Sequence, residues 1–186
     1  MAIYSLAKHS DIQTRLRKEI RNNLPSISSS TSTSTSETIS AQTLDSLPYL
    51  NAVTNEVIRY HPSVPATVRI ATRPTTIANR PIPTNTSLMI SPHILNLSPE
   101  FWGPDAEHFN PDRWLDAETG RANNTGGARS NYAMLTFLQG PRSCIGQGFA
   151  RAELACLIAG LAGRFDITLR DLEKVVEVRL VAVEGW

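Results

Sequence analysis

The sequence is short of cysteine, of net charge and of long apolar runs, and each shortage argues against a class of protein. Two cysteines among 186 residues, Cys144 and Cys156, are too few for a disulfide framework and favour a reducing compartment. The 18 Lys and Arg residues nearly balance the 17 Asp and Glu residues, so the charge gives no support for nucleic-acid binding. No apolar run is long enough to span a bilayer, and the N-terminus lacks a signal-peptide pattern. A chain of this length can still bury a real core as one domain.

A loop punctuated by Gly and Pro holds the most distinctive residues. Residues 137–148 read Phe-Leu-Gln-Gly-Pro-Arg-Ser-Cys-Ile-Gly-Gln-Gly, and an apolar helical pattern starts directly after Cys144. A thiolate at a helix N-terminus is favoured by the helix dipole and by free backbone N–H groups, and Arg142 adds a fixed positive charge. Gly146 removes a side chain where a flat ligand would approach the backbone. These features suit a cysteinate that serves as a permanent metal ligand.

Other roles of Cys144 stay open when the residue is considered alone. A lone cysteine is usually a small buried hydrophobe. A zinc site would need further ligands, and the sequence has no Cys-x-x-Cys pair and no His cluster. A protease nucleophile would need a histidine partner, and no recognisable partner motif surrounds any of the four histidines, His9, His61, His93 and His108.

The loop resembles the Phe-x-x-Gly-x-Arg-x-Cys-x-Gly signature of the cytochrome P450 family. All five fixed positions are matched, by Phe137, Gly140, Arg142, Cys144 and Gly146. The resemblance implies that Cys144 is the axial thiolate ligand of the iron in haem b and favours O–O cleavage. It also implies that Arg142 binds a haem propionate and that Phe137 packs on the sulfur side of the ring.

A second motif lies upstream of this loop. Apolar spacing predicts a helix over residues 47–60, in which Glu56 and Arg59 share one face. On a surface, such a pair is an ordinary ion pair worth roughly a few tenths of a kcal/mol. The run from Glu56 to Arg59 is also similar to the family's Glu-x-x-Arg motif. That resemblance implies a buried charge network of Glu56, Arg59 and Arg113 that supports the haem site.

Short β patterns follow this helix, with β-branched residues between turn signals. Arg69 lies between two apolar residues and is either an exposed strand arginine or, by the resemblance, a second propionate ligand. Residues near Pro65 match a family segment that contacts substrate, with Val64, Ala66 and Thr67 as candidates. Their size fits an apolar substrate pocket, although the core of a strand has the same composition.

Together, these patterns predict a mainly α protein with a small β region, of the α+β class. The resemblance identifies residues 1–186 as one partial domain, the C-terminal part of the cytochrome P450 fold. Cys156 is expected to pack in the core, with a regulatory thiol as the alternative, and the hairpin between the terminal strands is expected to be short or missing. The predicted segments are a helical region (1–24), a Ser/Thr-rich flexible loop (25–46), the Glu-x-x-Arg helix (47–60), a small β region (61–100), a meander and loop (101–136), the haem-ligand loop (137–146), the ligand helix (147–164) and terminal strands (165–186).

Residues 6–13, Leu-Ala-Lys-His-Ser-Asp-Ile-Gln, resemble the family's connection out of its long central helix. We therefore expect the chain to begin too late to contain that oxygen-activating helix, and we expect no catalytic residue in it. The family's substrate-access region and membrane anchor are expected to be absent too. An endoplasmic-reticulum location is what eukaryote-like members imply, and nothing in the sequence encodes it.

The resemblance implies a haem-thiolate monooxygenase. Such an enzyme inserts one oxygen atom from O2 into a small apolar organic substrate, with electrons that come from NAD(P)H through a reductase. Two alternatives stay open: an inactive truncated fragment, and a haem-thiolate binding module without oxygenation. The sequence does not identify the substrate or the position that is oxidised.

Overall fold

The computed structural model describes residues 1–24, 40–170 and 178–182, the last of these as backbone, and it shows a mixture of helices and small sheets. This mixture agrees with the predicted α+β class. The helices are α1 (Ala2–Lys8), α2 (Ser10–Asn23), α3 (Ala41–Asp45), α4 (Pro48–Tyr60), α5 (Pro92–Asn96), α6 (Pro99–Trp102) and α7 (Gln147–Arg164). The strands are β1 (Thr67–Ile70), β2 (Thr75–Ile77), β3 (Arg80–Ile82), β4 (Ser87–Ile90), β5 (Phe165–Leu169) and β6 (Val178–Ala182). Short 3₁₀ helices occur at Pro111–Trp114 and Gly140–Arg142.

The described residues divide into two units, each of which is treated by itself. The first unit takes in Met1–Val57, His108–Gly127 and the chain from Cys144 onward. The second unit takes in Ile58–Glu107 and Ala128–Ser143.

In the first unit, α2 buries a stripe of apolar residues and one amide. Ile12, Leu16 and Ile20 recur at a spacing of four and are buried, as an amphipathic helix requires. Gln13 lies on the same side, where its Nε2 donates to the carbonyl of Ile167 (2.9 Å) and its Oε1 accepts from the N–H of Ile167 (2.8 Å). The amide therefore pairs with the backbone of β5 as another strand would, and it satisfies polar groups that burial would otherwise leave unbonded.

The N-terminus of α4 is capped by a carboxylate from α2. The two oxygens of Glu19 accept from the backbone N–H groups of Tyr49 (2.9 Å) and Leu50 (2.8 Å). These N–H groups lack partners within the helix, and the positive end of the helix dipole favours the negative charge. The buried residues Leu50 and Val53 then anchor α4 in the core.

The prediction of a Ser/Thr-rich loop over residues 25–46 is wrong for its C-terminal part, because Ala41–Asp45 form α3. The side chain of Ser40 accepts from the N–H of Thr43 (3.1 Å), and Leu44 is buried. A cap and one apolar anchor are enough for this single helical turn. Residues 25–39, the rest of the predicted loop, lie outside the described residues.

The C-terminus of α7 is held by two arginines of α2. Arg17 donates from Nε to the carbonyl of Ala162 (3.0 Å), and Arg21 donates from Nε and Nη2 to the carbonyl of Gly163 (3.1 and 3.0 Å). The last carbonyls of a helix have no partner within it and carry partial negative charge, which favours cations. The end of α7 is thus fixed to α2.

Cys156 is exposed on α7, so the predicted core packing of this residue is wrong. Apolar residues occur on all sides of this helix, and the described residues cover the side that carries Ala155, Ile158 and Ala159. The sequence alone did not indicate which side that would be.

Directly after α7, β5 pairs antiparallel with β6, from Phe165 opposite Ala182 to Leu169 opposite Val178. The short hairpin predicted between them falls on residues 171–177, outside the described residues.

The second unit contains two small antiparallel sheets. β1 pairs with β4, with Thr67 opposite Ile90, and β2 pairs with β3. Ala78 and Asn79 join β2 to β3 with φ values of 47° and 62°. Positive φ at both central residues gives the turn that best matches the twist of a tight hairpin. Arg80–Ile82 follow this turn directly as β3.

Candidate functional site

The thiol of Cys144 lies just before the start of α7. Its side chain is exposed, and its carbonyl accepts from the N–H of Gln147 (3.3 Å), the first residue of the helix. Cys144 therefore immediately precedes the N-terminus of α7, which is the positive end of the helix dipole. A Cβ added at Gly146 would lie 3.9 Å from the Cys144 Sγ, an ordinary contact distance. Gly146 thus keeps the surroundings of the sulfur open rather than relieving a clash.

The preceding part of the loop, in the second unit, has an unusual backbone. Leu138 has φ 59° and Gly140 has φ 78°. A left-handed conformation costs an ordinary residue about 1–2 kcal/mol, so Leu138 stores strain that the sequence did not reveal. A Cβ at Gly140 would meet nothing within 4 Å, and the glycine is required by the dihedral angle rather than by space. Arg142 is exposed, and Phe137 is half-buried.

Glu56 is the centre of a buried polar cluster in the first unit. Its side chain has no exposed surface. Its Oε1 accepts from the backbone N–H of Asn110 (2.8 Å) and from the Nε of Arg113 (3.3 Å), and its Oε2 accepts from the indole N–H of Trp114 (2.9 Å). The side chain of Arg113 is only 6% exposed. A single carboxylate thus fixes the whole 3₁₀ turn at Pro111–Trp114.

Arg59 is equally buried in the second unit. Its Nη1 donates to the carbonyls of Asn96 (2.6 Å) and Ala106 (2.7 Å), and its guanidinium lies 5.1 Å from the ring centroid of Trp102. Carbonyl dipoles and an aromatic face are both favourable neighbours for a buried cation. Glu56 and Arg59 each have no exposed surface, so neither belongs to an ordinary surface ion pair.

Sequence reasoning gave no role to Asn96, which the second unit buries completely. Its Nδ2 donates to the carbonyl of Arg59 (2.9 Å) and to the Oγ1 of Thr136 (2.7 Å), and its Oδ1 accepts from the N–H of Leu135 (3.0 Å). Asn96 therefore connects the end of α4 to the residues just before the ligand loop. The roles of Trp114 and Asn110 at Glu56 were missed too, because the residues around them in the sequence do not indicate a contact with Glu56.

The remaining candidates lie on the surface of the second unit. Arg69 is exposed on β1, and its Nη1 donates to the Oγ1 of Thr67 and the carbonyl of Val68, both at 2.9 Å. Val64 and Ala66 are exposed and Thr67 is half-buried. The alternative in which Val64 and Ala66 fill the core of a strand is therefore wrong. Their role toward substrate, and that of Arg69 toward a propionate, stay predictions.

A cleft of about 470 Å³ opens beside the first turn of α7 in the first unit. Arg151 borders it and donates from Nη1 to the Oδ1 of Asn55 (2.6 Å). Burial lowers the pKa of the Arg151 guanidinium from its ordinary value. The lining residues are Asn55, Trp114, Asn124, Gln147, Gly148 and Arg151.

Comparison with known proteins gives a consistent result. The family model for cytochrome P450 matches residues 1–179. The cytochrome P450 monooxygenase sphH of Aspergillus fumigatus is 58% identical over 199 residues, which take in 100% of this chain and 35% of that protein. The cytochrome P450 monooxygenase ptmK of Penicillium ochrochloron is 47% identical over 165 residues, with 89% of this chain and 31% of that protein covered. The cytochrome P450 monooxygenase ALT8 of Alternaria alternata is 41% identical, with 96% and 34% covered.

The chain therefore spans about a third of the length of the curated relatives that it matches. Among the described helices, none has both the length and the apolar character needed to cross a membrane. The matched region extends over nearly the whole chain and contains both the ligand loop and the Glu-x-x-Arg motif. By its sequence and by its relatives, the chain belongs to the cytochrome P450 family.

Proposed function

We propose that this chain is the haem-binding section of a monooxygenase that inserts one atom of O2 into a small apolar organic substrate, with electrons from NAD(P)H through a reductase. The observation that carries the proposal is the exposed thiol of Cys144 at the start of α7, within a loop that matches all five fixed positions of the family signature. The three relatives described above are all named as monooxygenases, which supports the reaction class.

The donor chemistry of the chain fits haem better than a bare metal ion. Within residues 1–24 and 40–170, no group of three or more His, Cys, Asp or Glu side chains is placed to hold an ion. A single thiolate suits a metal whose other ligands come from a porphyrin, and Cys144 offers an accessible sulfur for it. Haem, when bound, supplies the oxygen-activating chemistry, and the protein supplies the ligand and its electrostatic surroundings.

The other residues would then have supporting roles. Arg142 and Arg69 would bind the propionates of haem b, since both are exposed cations. Gly140 would allow the turn within the loop, through its positive φ. Phe137 would pack on the sulfur side of the ring, with Gly146 leaving room for it. Glu56 with Arg113, and Arg59 in the second unit, would keep the surrounding backbone rigid.

The whole enzyme would need more than these residues. Val64, Ala66 and Thr67 are the candidates for contact with an apolar substrate. The chain matches about a third of the length of its relatives, so monooxygenase activity is proposed for the whole enzyme.

The decisive experiment compares the two cysteines. The chain is produced with a supply of haem, and the difference spectrum of its reduced carbon-monoxide complex is recorded. The thiolate-type band is expected for the unsubstituted chain and for Cys156→Ser, and it is expected to vanish in Cys144→Ser. A thiolate-type band that persists in Cys144→Ser would refute the ligand assignment.

A second candidate function is haem-thiolate binding without oxygenation. It is favoured by the limited share of the relatives that the chain covers. NADPH consumption in the presence of a reductase and of candidate apolar substrates separates the two functions. A chain that shows the thiolate band and consumes no NADPH would be a binding module, whereas a chain with neither property would be an inactive fragment.

A further inference from the structure

A tight turn leads into the ligand loop of residues 137–146. The N–H of Leu138 donates to the carbonyl of Leu135 (3.0 Å), which closes a four-residue turn with Thr136 and Phe137 at its centre. Leu138, the last residue of this turn, has a φ of 59°. Glycine commonly takes this position, because a left-handed backbone is strained for a residue that carries a side chain. The turn therefore holds Leu138 in a conformation that leucine seldom adopts.

Two side chains of the second unit fix this turn. Asn96, which has no exposed surface, accepts from the N–H of Leu135 (3.0 Å) through its Oδ1. Its Nδ2 donates to the Oγ1 of Thr136 (2.7 Å), and that hydroxyl in turn donates to the carbonyl of the buried Ile58 (2.9 Å). A strained backbone persists only where the surrounding structure over-determines it. The hydrogen bonds of Asn96 and Thr136 supply that constraint, one residue after the other, at the start of the turn.

The turn lies where the proposed haem contacts begin. Phe137 is one of its two central residues, so the turn sets the direction in which this side chain leaves the backbone. A left-handed residue changes the course of the chain, so the φ of Leu138 also affects where Gly140 and Arg142 lie. Functional side chains are held in a productive geometry by supporting residues whose own positions are locked by hydrogen bonds.

We propose that Asn96 and Thr136 are positioning residues for the ligand loop. They hold Leu138 in its left-handed conformation and thereby keep Phe137 and Arg142 in place to receive haem. The proposal rests on the proposed function, which is what assigns these two residues to haem. The alternative is that Asn96 and Thr136 add only to the stability of the second unit. The two roles differ at Leu138, because only the positioning role depends on the strain at that residue.

Hydrogen exchange in the haem-free chain tests this dependence. Thr136→Val keeps the shape of the side chain but removes both hydrogen bonds of the hydroxyl. The Leu138 amide should then exchange about tenfold faster relative to the Ala71 amide, since a buried hydrogen bond is worth about that factor. The Ala71 N–H donates to the carbonyl of Thr86 (3.0 Å) in the same unit, so its exchange reports the stability of the unit itself. Thr76→Val, the same change at an exposed position of β2, is the matched control and should leave the exchange ratio unchanged.

Leu138→Gly supplies the second half of the test. Glycine adopts a positive φ readily, so in this background Thr136→Val should change the exchange ratio by only about threefold or less. A purely stabilising role would give the same change in both backgrounds. The proposal is overturned if Thr136→Val behaves as Thr76→Val does, if the Leu138 and Ala71 amides accelerate together, or if the effect is equally large with Leu138→Gly.

The spectrum of the reduced carbon-monoxide complex, recorded with haem supplied, gives the second readout. Thr136→Val should lose most of the thiolate-type band, and combining it with Leu138→Gly should restore the band. An undiminished band in Thr136→Val would also overturn the proposal. If the unsubstituted chain shows no thiolate-type band, the proposed function fails, and the exchange ratios still decide whether Asn96 and Thr136 hold the loop.

Discussion

Removal of the Glu56 carboxylate should cost a large part of the stability of the first unit. Glu56→Ala removes the carboxylate that accepts hydrogen bonds from the backbone N–H of Asn110 and the indole N–H of Trp114. It also removes the counter-ion of Arg113, whose side chain is only 6% exposed. Breaking a buried ion pair by deleting one partner costs about 3–5 kcal/mol, because a charge stays buried without its counter-ion. Natural domains are stable by about 5–15 kcal/mol in total, so this single change should bring the protein near its unfolding threshold.

Urea unfolding followed by circular dichroism measures this cost. Glu56→Gln keeps the shape and one acceptor oxygen but loses the charge, and we expect it to lose about 2 kcal/mol, roughly half as much as Glu56→Ala. Glu118→Ala removes an exposed carboxylate and serves as the control, with no measurable change expected. An unfolding free energy of Glu56→Ala within about 0.5 kcal/mol of the unsubstituted chain would refute the argument, since effects that small are typical of surface sites. In a haem-loaded protein, the same variant should also lose haem.

Two further predictions concern the rest of the described chain. Asn96→Ala should destabilise the second unit by about 2–4 kcal/mol, because two backbone groups and one hydroxyl lose a buried partner, and urea unfolding would show this. Burial raises the pKa of Tyr49 to about 12, against the opposing effect of Arg15, whose guanidinium lies 4.0 Å from the ring centroid. The unfolded state, with an ordinary pKa near 10, ionises first, so stability should fall between about pH 10 and pH 12. Tyrosinate absorbance measures the titration of Tyr49. In Tyr49→Phe, the fall of stability between about pH 10 and pH 12 should be lost.

Local features were the part of this protein that the sequence predicted well. The apolar spacing after Cys144 and the Gly and Pro residues before it indicated a loop that enters a helix, and the structure has α7 from Gln147. Such features depend on neighbours within one or two turns, and sequence patterns record them directly. The helix at Pro48–Tyr60, with its apolar stripe, is of the same kind.

Features that depend on distant contacts were missed. Nothing local indicates that Trp114 donates to Glu56, 58 residues earlier, or that Asn96 accepts from Leu135, 39 residues later. The exposure of Cys156 also could not be inferred, because apolar residues occur on several sides of α7 and do not indicate which side its neighbours cover. In each case the missing information is the tertiary partner, which residue type and spacing do not specify.

The arginine contacts at the C-terminus of α7 influence where the Cys144 sulfur lies, because the sulfur precedes the N-terminus of the same helix. Arg17 and Arg21 donate hydrogen bonds to the carbonyls of Ala162 and Gly163 in the last turn of α7. The 18 residues of α7 form a rod about 27 Å long. If the helix tilted by only about 2° about its C-terminus, its N-terminus would move by about 1 Å. A displacement of that size can lower the rate of a catalysed reaction about a hundredfold. Substitutions at Arg17 or Arg21, far from the thiol, should therefore displace the Cys144 sulfur, which is the proposed iron ligand.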